Sequence, residues 1–237
     1  VFETINLTQG INDHHHFEVT VDIEVIEKLG THTLDASKDW LGKSIVIGFG
    51  EKEFLGTIVN VQMIHTDGFN GMIVISGYSK TILLEGGPHV QSWLDKDLGS
   101  IVKEVAEAGG VDAEVKPVYT KPFDYQAQYG ETHFQFLQRL AKQHNEWLFY
   151  DGVKLIFGKP QLGKPVELVY GANLNSISVS IEAIPSKRSH FSYNALDDKK
   201  EESKTKDEVS GLNELGSFAF NKAKELFGIV PNGFSHA

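Results

Sequence analysis

Apolar and polar residues alternate with a two-residue period over His16–Ile23, the pattern of a strand with one face buried. Ser44–Phe49 is a more continuous β-branched run, and Glu53–Ile64 follows it after a short charged turn. Gly68 and the Asn70-Gly71 pair mark another turn before Met72–Tyr78. Several strands joined by short turns predict a closed or nearly closed antiparallel barrel over residues 1–80. Gly48, Gly50, Gly56 and Gly77 supply sharp bends and close backbone approach within it.

Residues 81–164 change character and predict an α/β insertion. Ser100–Ala108 is a short amphipathic helix with Asp97 near its start, and Gly109-Gly110 suits a left-handed cap at its end. Pro117 and Pro122 bracket an extended linker. Beyond it, Tyr125, Ala127 and Tyr129 alternate with Gln126 and Gln128, as in a half-buried strand that Gly130 breaks. Thr132 and Gln135 have the spacing of a capping box, in which each side chain satisfies a backbone amide of the first helical turn. Phe134, Leu137, Leu140, Ala141 and His144 then form an apolar helical face, with Arg139, Lys142 and Gln143 on the other side. Asp151-Gly152 is a two-residue hairpin signal between Trp147–Tyr150 and Val153–Phe157.

The pattern returns to strands in residues 165–196. Val166–Tyr170 and Ile177–Ala183 both alternate and read as the start of a second barrel with too few strands to finish. Residues 197–237 begin with a mixed charge run, Asp197–Glu208, expected as a solvated loop or a disordered segment. Leu215, Phe218, Ala219, Lys222, Ala223, Leu226 and Phe227 give a helical stripe, and Pro231-Asn232-Gly233 reads as a closing turn. The fold class is therefore β-rich α+β: antiparallel β-barrels with an α/β insertion, the second barrel incomplete.

Composition narrows the chemistry. The 237 residues hold one large domain or two modest ones, and 41% hydrophobic with 23% charged residues is ordinary for a globular protein. A net charge of -10 and a pI near 5.4 argue against nucleic-acid binding and against an acidic membrane surface. The absence of cysteine excludes disulfides, thiol catalysis and cysteine metal sites. No apolar run reaches the ~20 residues of a transmembrane helix, and the first residues show no signal-peptide pattern. The chain begins with Val1 and not Met, which is expected of a trimmed or partial chain.

His14-His15-His16 draws attention as a metal ligand set. Adjacent strand residues point to opposite faces, however, so an exposed turn leading into a strand is the expectation. Asp95-Lys96-Asp97-Leu98-Gly99 fails as a calcium loop because Gly falls one position early and no Glu closes it. Gly48-Phe49-Gly50 with Gly56 does not fit a dinucleotide fingerprint. Glu131 and Glu146 are explained by capping and solvation, and His65, His89, His133 and His144 are read as ordinary satisfied histidines. Trp93, Trp147, Phe149, Tyr150 and Phe157 fit core and hairpin packing better than a carbohydrate site. No catalytic, cofactor-binding or metal-binding residue emerges, and none is assigned.

The segment 124–158 also resembles a known family. Tyr129, Glu131, Phe134, Phe136, Leu137, Arg139 and Leu140, followed by an aromatic hairpin, match the signature of the valine-glycine-repeat (VgrG) spike proteins of type VI secretion and their phage tail-hub relatives. Gly130 departs from it, standing where family members often carry Asn. Ser76-Gly77-Tyr78, Leu84-Glu85-Gly86-Gly87 and the Asp97–Ala108 helix are similar too. The resemblance implies a structural hub or spike of a contractile injection machine and no enzyme. Three subunits, each with two similar barrels, would form a pseudo-sixfold ring capping a hexameric tube protein. Baseplate components and effector cargo would be further partners. The protein would assemble in the cytoplasm and leave with the machine, without a signal peptide. A complete spike carries more, so a longer protein is the expectation. A phage or extracellular contractile-particle hub is the alternative within the class. A tail-associated cell-wall hydrolase or a carbohydrate-binding barrel is the alternative outside it.

Overall fold

The computed structural model describes residues 2–24, 38–65, 71–161 and 163–234. The predicted turn at Gly68 and Asn70 lies outside them. The chain divides into two compact units, Val1–Gly163 and Lys164–Ala237.

The first unit opens with an all-antiparallel sheet of five strands: β1 (Thr4–Thr8), β2 (His16–Asp22), β3 (Ser44–Phe49), β4 (Lys52–Ile64) and β5 (Met72–Ser79), in the order β1-β2-β5-β4-β3. The predicted barrel is thus an open, curled half-barrel, with β1 and β3 at its edges and no pairing between them among the described residues. Alternation in β2 works as read: Phe17, Val19 and Val21 are buried, and between them Glu18 and Thr20 are not. The β4–β5 ladder slips between Ile58 and Asn60, a bulge that increases local twist and helps the sheet to curl. Phe17 lies directly over two glycines. A Cβ on Gly56 would stand 2.6 Å from its ring, and one on Gly77 would stand 2.9 Å from the ring and 2.0 Å from the Thr57 carbonyl oxygen.

A short 3-10 turn, Lys80–Glu85, leads from β5 into β6 (His89–Asp97). Helix α1 (Leu98–Ala108) follows, then β7 (Ala113–Lys116), β8 (Pro122–Glu131), helix α2 (His133–His144), β9 (Leu148–Tyr150) and β10 (Leu155–Gly158). β6 and β8 form an antiparallel ribbon, while β10 pairs in parallel with β7 and antiparallel with β9. Both helices start as the sequence predicts. Asp97 caps α1 by accepting from Ser100 N at 2.9 Å and from its hydroxyl at 2.6 Å, and this holds the carboxyl below its usual pKa. Gly110, at φ 69°, supplies the left-handed residue that ends α1. The Thr132–Gln135 capping box is present in both directions at 3.1 Å. The hairpin at Asp151-Gly152 is longer than read: Tyr150 pairs with Leu155, and Asp151 Oδ1 accepts from Val153 N and Lys154 N across a four-residue loop.

Two apolar clusters fill this unit. One lies under the half-barrel around Phe17, Phe54 and Ile73. The other joins α1 and α2 to Trp93, Leu148 and Phe157. Tyr150 belongs to the first cluster although it comes from β9, so the hairpin completes the core of the sheet.

The second unit departs most from expectation. Val166–Tyr170 and Ile177–Ala183 form no paired strands; only a bridge between Tyr170 and Leu174 occurs there, and Val166 and Val179 are 79% and 76% exposed. Alternation becomes a strand only where a neighbour accepts the backbone hydrogen bonds. The charge run read as a loop holds a strand instead: β11 (Ser189–Asn194) and β12 (Lys199–Lys204) make an antiparallel hairpin. Residues 232–234, read as a turn, form β13 (Asn232–Phe234), parallel to β11. Helix α3 (Glu214–Leu226) is capped by Asn213, which accepts from Gly216 N at 2.8 Å.

The glycine under Phe17 gives a direct test. Gly77→Ala drives a methyl into a backbone oxygen that no rotamer can move, and should cost about 3 kcal/mol in urea unfolding. Gly48→Ala, with nothing within 4 Å of its Cβ, should change stability by less than ~1 kcal/mol.

Candidate assembly site

The turn between β1 and β2 carries His14 and His15 and leads directly into His16 of β2, and it is no exposed turn. His15 is 3% exposed and lies beside Phe54 and Tyr150. Its Nδ1 accepts from the Gln9 amide at 3.2 Å, so Nε2 carries the proton toward Gly10 O at 3.2 Å. His14 stacks on Phe134 of α2 with ring centroids 3.8 Å apart. Its nitrogens reach Thr81 Oγ1 at 2.7 Å and Glu85 Oε1 at 3.1 Å. His16 sits at the edge of Tyr78. His14 and His16 both meet the edge of Tyr78, whereas His15 packs beside Phe54 and Tyr150. Among the described residues no group of three or more His, Cys, Asp or Glu side chains can hold a metal ion.

These contacts form one polar chain through the molecule. His15 N donates to Ser79 Oγ at 3.1 Å, the Ser79 and Thr81 hydroxyls meet at 2.7 Å, and Thr81 passes the chain to His14 and Glu85. Thr81, His14 and Glu85 have the hydroxyl–imidazole–carboxylate order of a nucleophilic triad. The two hydroxyl residues are only 0% and 1% exposed, and the chain's hydrogen bonds run between the half-barrel and the 3-10 turn, which suits a structural role. The same turn is tied further: Asn12 N donates to Leu148 O at 2.8 Å, and the Gln138 amide donates to Asn12 O at 2.7 Å. Asn12 takes the left-handed conformation, and its Oδ1 is buried without a hydrogen-bond partner among the described residues.

The signature segment works as a clamp on another side of α2. Arg139 grips Glu131 with two hydrogen bonds, at 2.7 and 2.9 Å, and donates to the Ala127 carbonyl at 2.7 Å. Its guanidinium also lies over the Phe136 ring. Phe136, fully buried, stacks on Trp93 at 5.2 Å. Trp93 donates to Glu104, and Lys96 and Trp93 together hold that carboxyl below its usual pKa. The apolar stripe read from the sequence omitted Phe136 and His133, which face two further neighbours, Trp93 and His89. An aromatic either side of Gln135 was the available signal that α2 is buried on more than one face.

The remaining candidates also serve structure. Glu146 is buried, not solvated: one carboxylate oxygen accepts from Val118 N at 2.7 Å and Tyr119 N at 2.9 Å, fixing the loop after β7. His133 stacks face to face with His89 at 3.9 Å and sits against the buried Gln128 amide. His144 packs on Tyr119 and Phe123. Burial lowers the pKa of His15, His133 and His144, and His89 adds to the effect at His133. Burial, with help from Asp151 and Asp112, pushes the Tyr150 phenol far up. That hydroxyl lies 3.1 Å from Leu55 O and 3.0 Å from Val153 O. Two adjoining clefts of about 380 and 430 Å³ flank this hairpin, sharing Gln9 and Asp151.

The ribbon of β6 and β8 reverses the expected sidedness. Gln128 is 0% exposed, whereas Tyr125 and Tyr129 are 62% and 80% exposed. The glutamines point inward because they have partners there: Gln91 donates to Gln128 at 2.8 Å, and Gln128 donates to Glu131 O at 2.8 Å. Val90 lies opposite Tyr129 and Leu94 opposite Tyr125, so the outward face is apolar and open.

Residues 8–161, from the end of β1 through the clamp to the aromatic hairpin, match the phage tail baseplate hub (GPD) family. The chain belongs to this family. The hub fold is also seen in solved structures. The 43 kDa tail protein of prophage MuSo2 from Shewanella oneidensis is 17% identical, with a TM-score of 0.59 over 98% of this chain and 67% of that one. The tail protein from Neisseria meningitidis MC58 is 12% identical, with a TM-score of 0.63 over 98% and 66%. A prophage tail protein from Listeria monocytogenes EGD-e is 12% identical, with a TM-score of 0.55 over 99% and 66%. At such identities the likeness is one of fold, and the hub chain spans about two thirds of the length of these tail proteins. No curated protein sequence matches it at a significant level. Among its described residues no helix is long and apolar enough to cross a membrane.

Two outcomes follow for the hub protein. Histidines with lowered folded pKa values refuse a proton that the unfolded chain accepts near the ordinary value of 6.5. Stability should therefore be full above pH 6.5 and fall as the pH drops through that value toward 5, and His133→Asn should flatten the dependence of melting temperature on pH. Arg139→Lys keeps the charge but loses the forked grip on Glu131 and Ala127, and should cost about 1–2 kcal/mol in chemical unfolding.

Proposed function

We propose that this protein is a structural subunit of a tail baseplate hub, acting by assembly and not by catalysis. The family match over residues 8–161 carries the reading. Two features of the fold support it. The half-barrel is joined to the α/β layer by hydrogen bonds from Asn12 to Leu148 and Gln138 and by the His14–Phe134 stack, which suits a part that transmits force. An apolar ribbon face is left uncovered, which suits a part that assembles.

In this reading three copies form a pseudo-sixfold ring that caps a hexameric tube protein, joins baseplate components and bears a puncturing tip with effector cargo. Symmetry matching is the work done, and no bond is made or broken. The three solved tail proteins named above share this fold and two of them come from prophages, which with the family match favours a phage-type tail over a type VI secretion spike as the host machine. The protein would assemble in the cytoplasm and leave it with the contractile machine.

Light scattering on the purified chain tests the ring. A trimer has three times the 26.3 kDa of one chain, about 79 kDa, and a single-chain or two-chain mass at all concentrations overturns the trimeric hub. Release of peptidoglycan fragments by the same sample would overturn the non-enzymatic reading; none is expected.

A further inference from the structure

We infer that the groove along β1 and the β9–β10 hairpin takes an extended segment of a partner protein that carries one basic side chain between apolar ones. The groove consists of the two adjoining clefts, of about 380 and 430 Å³, each within the ~300–1,000 Å³ range of ligand sites. Its walls are fixed by the fold. The Gln9 amide donates to His15, Leu55 N donates to Gly152 O at 2.7 Å, and Asp151 Oδ1 accepts from Val153 N and Lys154 N. A Cβ at Gly152 would stand 2.5 Å from Glu53 O, so the hairpin loop lies tight against β4. A site of fixed shape loses little entropy on binding. β1 lines the groove with Ile5 and Leu7, and among the described residues it pairs with β2 alone. Thr4–Thr8 holds no proline and no charge to guard that edge, so its outer backbone groups can pair with an extended chain.

The polar lining says what that chain carries. Gln9 and Asp151 line both clefts and so stand where the two meet. Gln9 Nε2 is spent on His15, and Asp151 Oδ1 on the loop amides. This leaves Gln9 Oε1 and Asp151 Oδ2 without a partner among the described residues. Two acceptors, one of them anionic, call for a donor, and a guanidinium or ammonium is a donor of complementary charge. On either side the walls turn apolar, with Ile11 and Phe149 in one cleft and Leu7 and Phe49 in the other. Two carboxylates, Asp151 and Glu53, face one cation, Lys52, so the groove as a whole is negative. The unit around it adds to the attraction, because residues 1–163 hold 22 Asp and Glu against 13 Lys and Arg. A phosphate, whether of a nucleic acid or of a lipid, meets the wrong charge here.

Fluorescence anisotropy tests the groove, with three blocked pentapeptides on a neutral dye titrated with the full chain: Gly-Leu-Arg-Leu-Gly and its glutamine and glutamate counterparts. The arginine peptide should bind ~10-fold more tightly than the glutamine peptide, the gain of a charge-assisted hydrogen bond over a neutral one. The glutamate peptide should bind most weakly. Asp151→Asn keeps an oxygen for the loop amides and should remove most of the preference for arginine over glutamine. Glu53→Gln, at an exposed position on the wall, should weaken the arginine peptide by ~3-fold, and it carries the test if Asp151→Asn lowers the melting temperature. Phe49→Ala should weaken the arginine and glutamine peptides alike. Asp124→Asn removes the same charge from an exposed position outside the groove and should bind as wild type does. Equal affinity for the arginine and glutamine peptides overturns the site. So does an Asp151→Asn or Glu53→Gln chain that binds as wild type does, or an equal loss in Asp124→Asn. The inference goes beyond the hub reading, and its failure leaves the ring standing, because the ring is tested by the mass of the chain without any peptide.

Discussion

The buried hydrogen-bond chain from His15 through Ser79 and Thr81 to His14 and Glu85 is the constraint on which the first unit depends. It satisfies polar groups that would each cost about 1–3 kcal/mol if buried unpaired. It also places the His14 ring flat against Phe134, the first aromatic of the signature helix. Asn12 of the same turn hydrogen-bonds to Leu148 and Gln138, so the half-barrel and the α/β layer cannot separate without breaking polar bonds and an aromatic stack at once. Tyr150 locks the same joint from the other side, filling the sheet's core while its hydroxyl lies within hydrogen-bond distance of the backbone of β4.

The family signature has a plain physical content in this light. Phe134 meets the histidine turn, Phe136 meets Trp93, and Arg139 ties the end of β8 to the helix that follows. Spacing sets these roles. Positions 134 and 136 fall on different sides of a helix, so each aromatic reaches a different neighbour. The signature describes a wedge between two layers.

Much of this was legible in the sequence, where one element explains its own pattern. The strands β2, β4 and β5, the N-terminal caps of α1 and α2, the hairpin at Asp151 and the fold class follow from local periodicity and turn chemistry, and the family resemblance follows from the signature. What was hidden depended on partners far along the chain. The histidines looked exposed because nothing near them in sequence shows that Thr81, Glu85 and Phe134 await them. The tyrosines of β8 looked buried because Gln128 gives no local hint of its partners Gln91 and Glu131. Val166–Tyr170 looked like a strand because a pattern of side chains says nothing about whether a neighbouring backbone is present.

The contribution of Tyr150 to the half-barrel has a consequence in time. This residue meets Leu55, which lies 95 positions earlier in the chain. Translation at ~5–20 residues per second puts roughly 5–20 s between their appearances. Once β5 has emerged, the nascent sheet has its five strands but an unfilled core, and long-range closure of this kind is intrinsically slow. The subunit is thus most vulnerable to mispairing while it is still attached to the ribosome, and the aromatic hairpin is the step that ends that exposure.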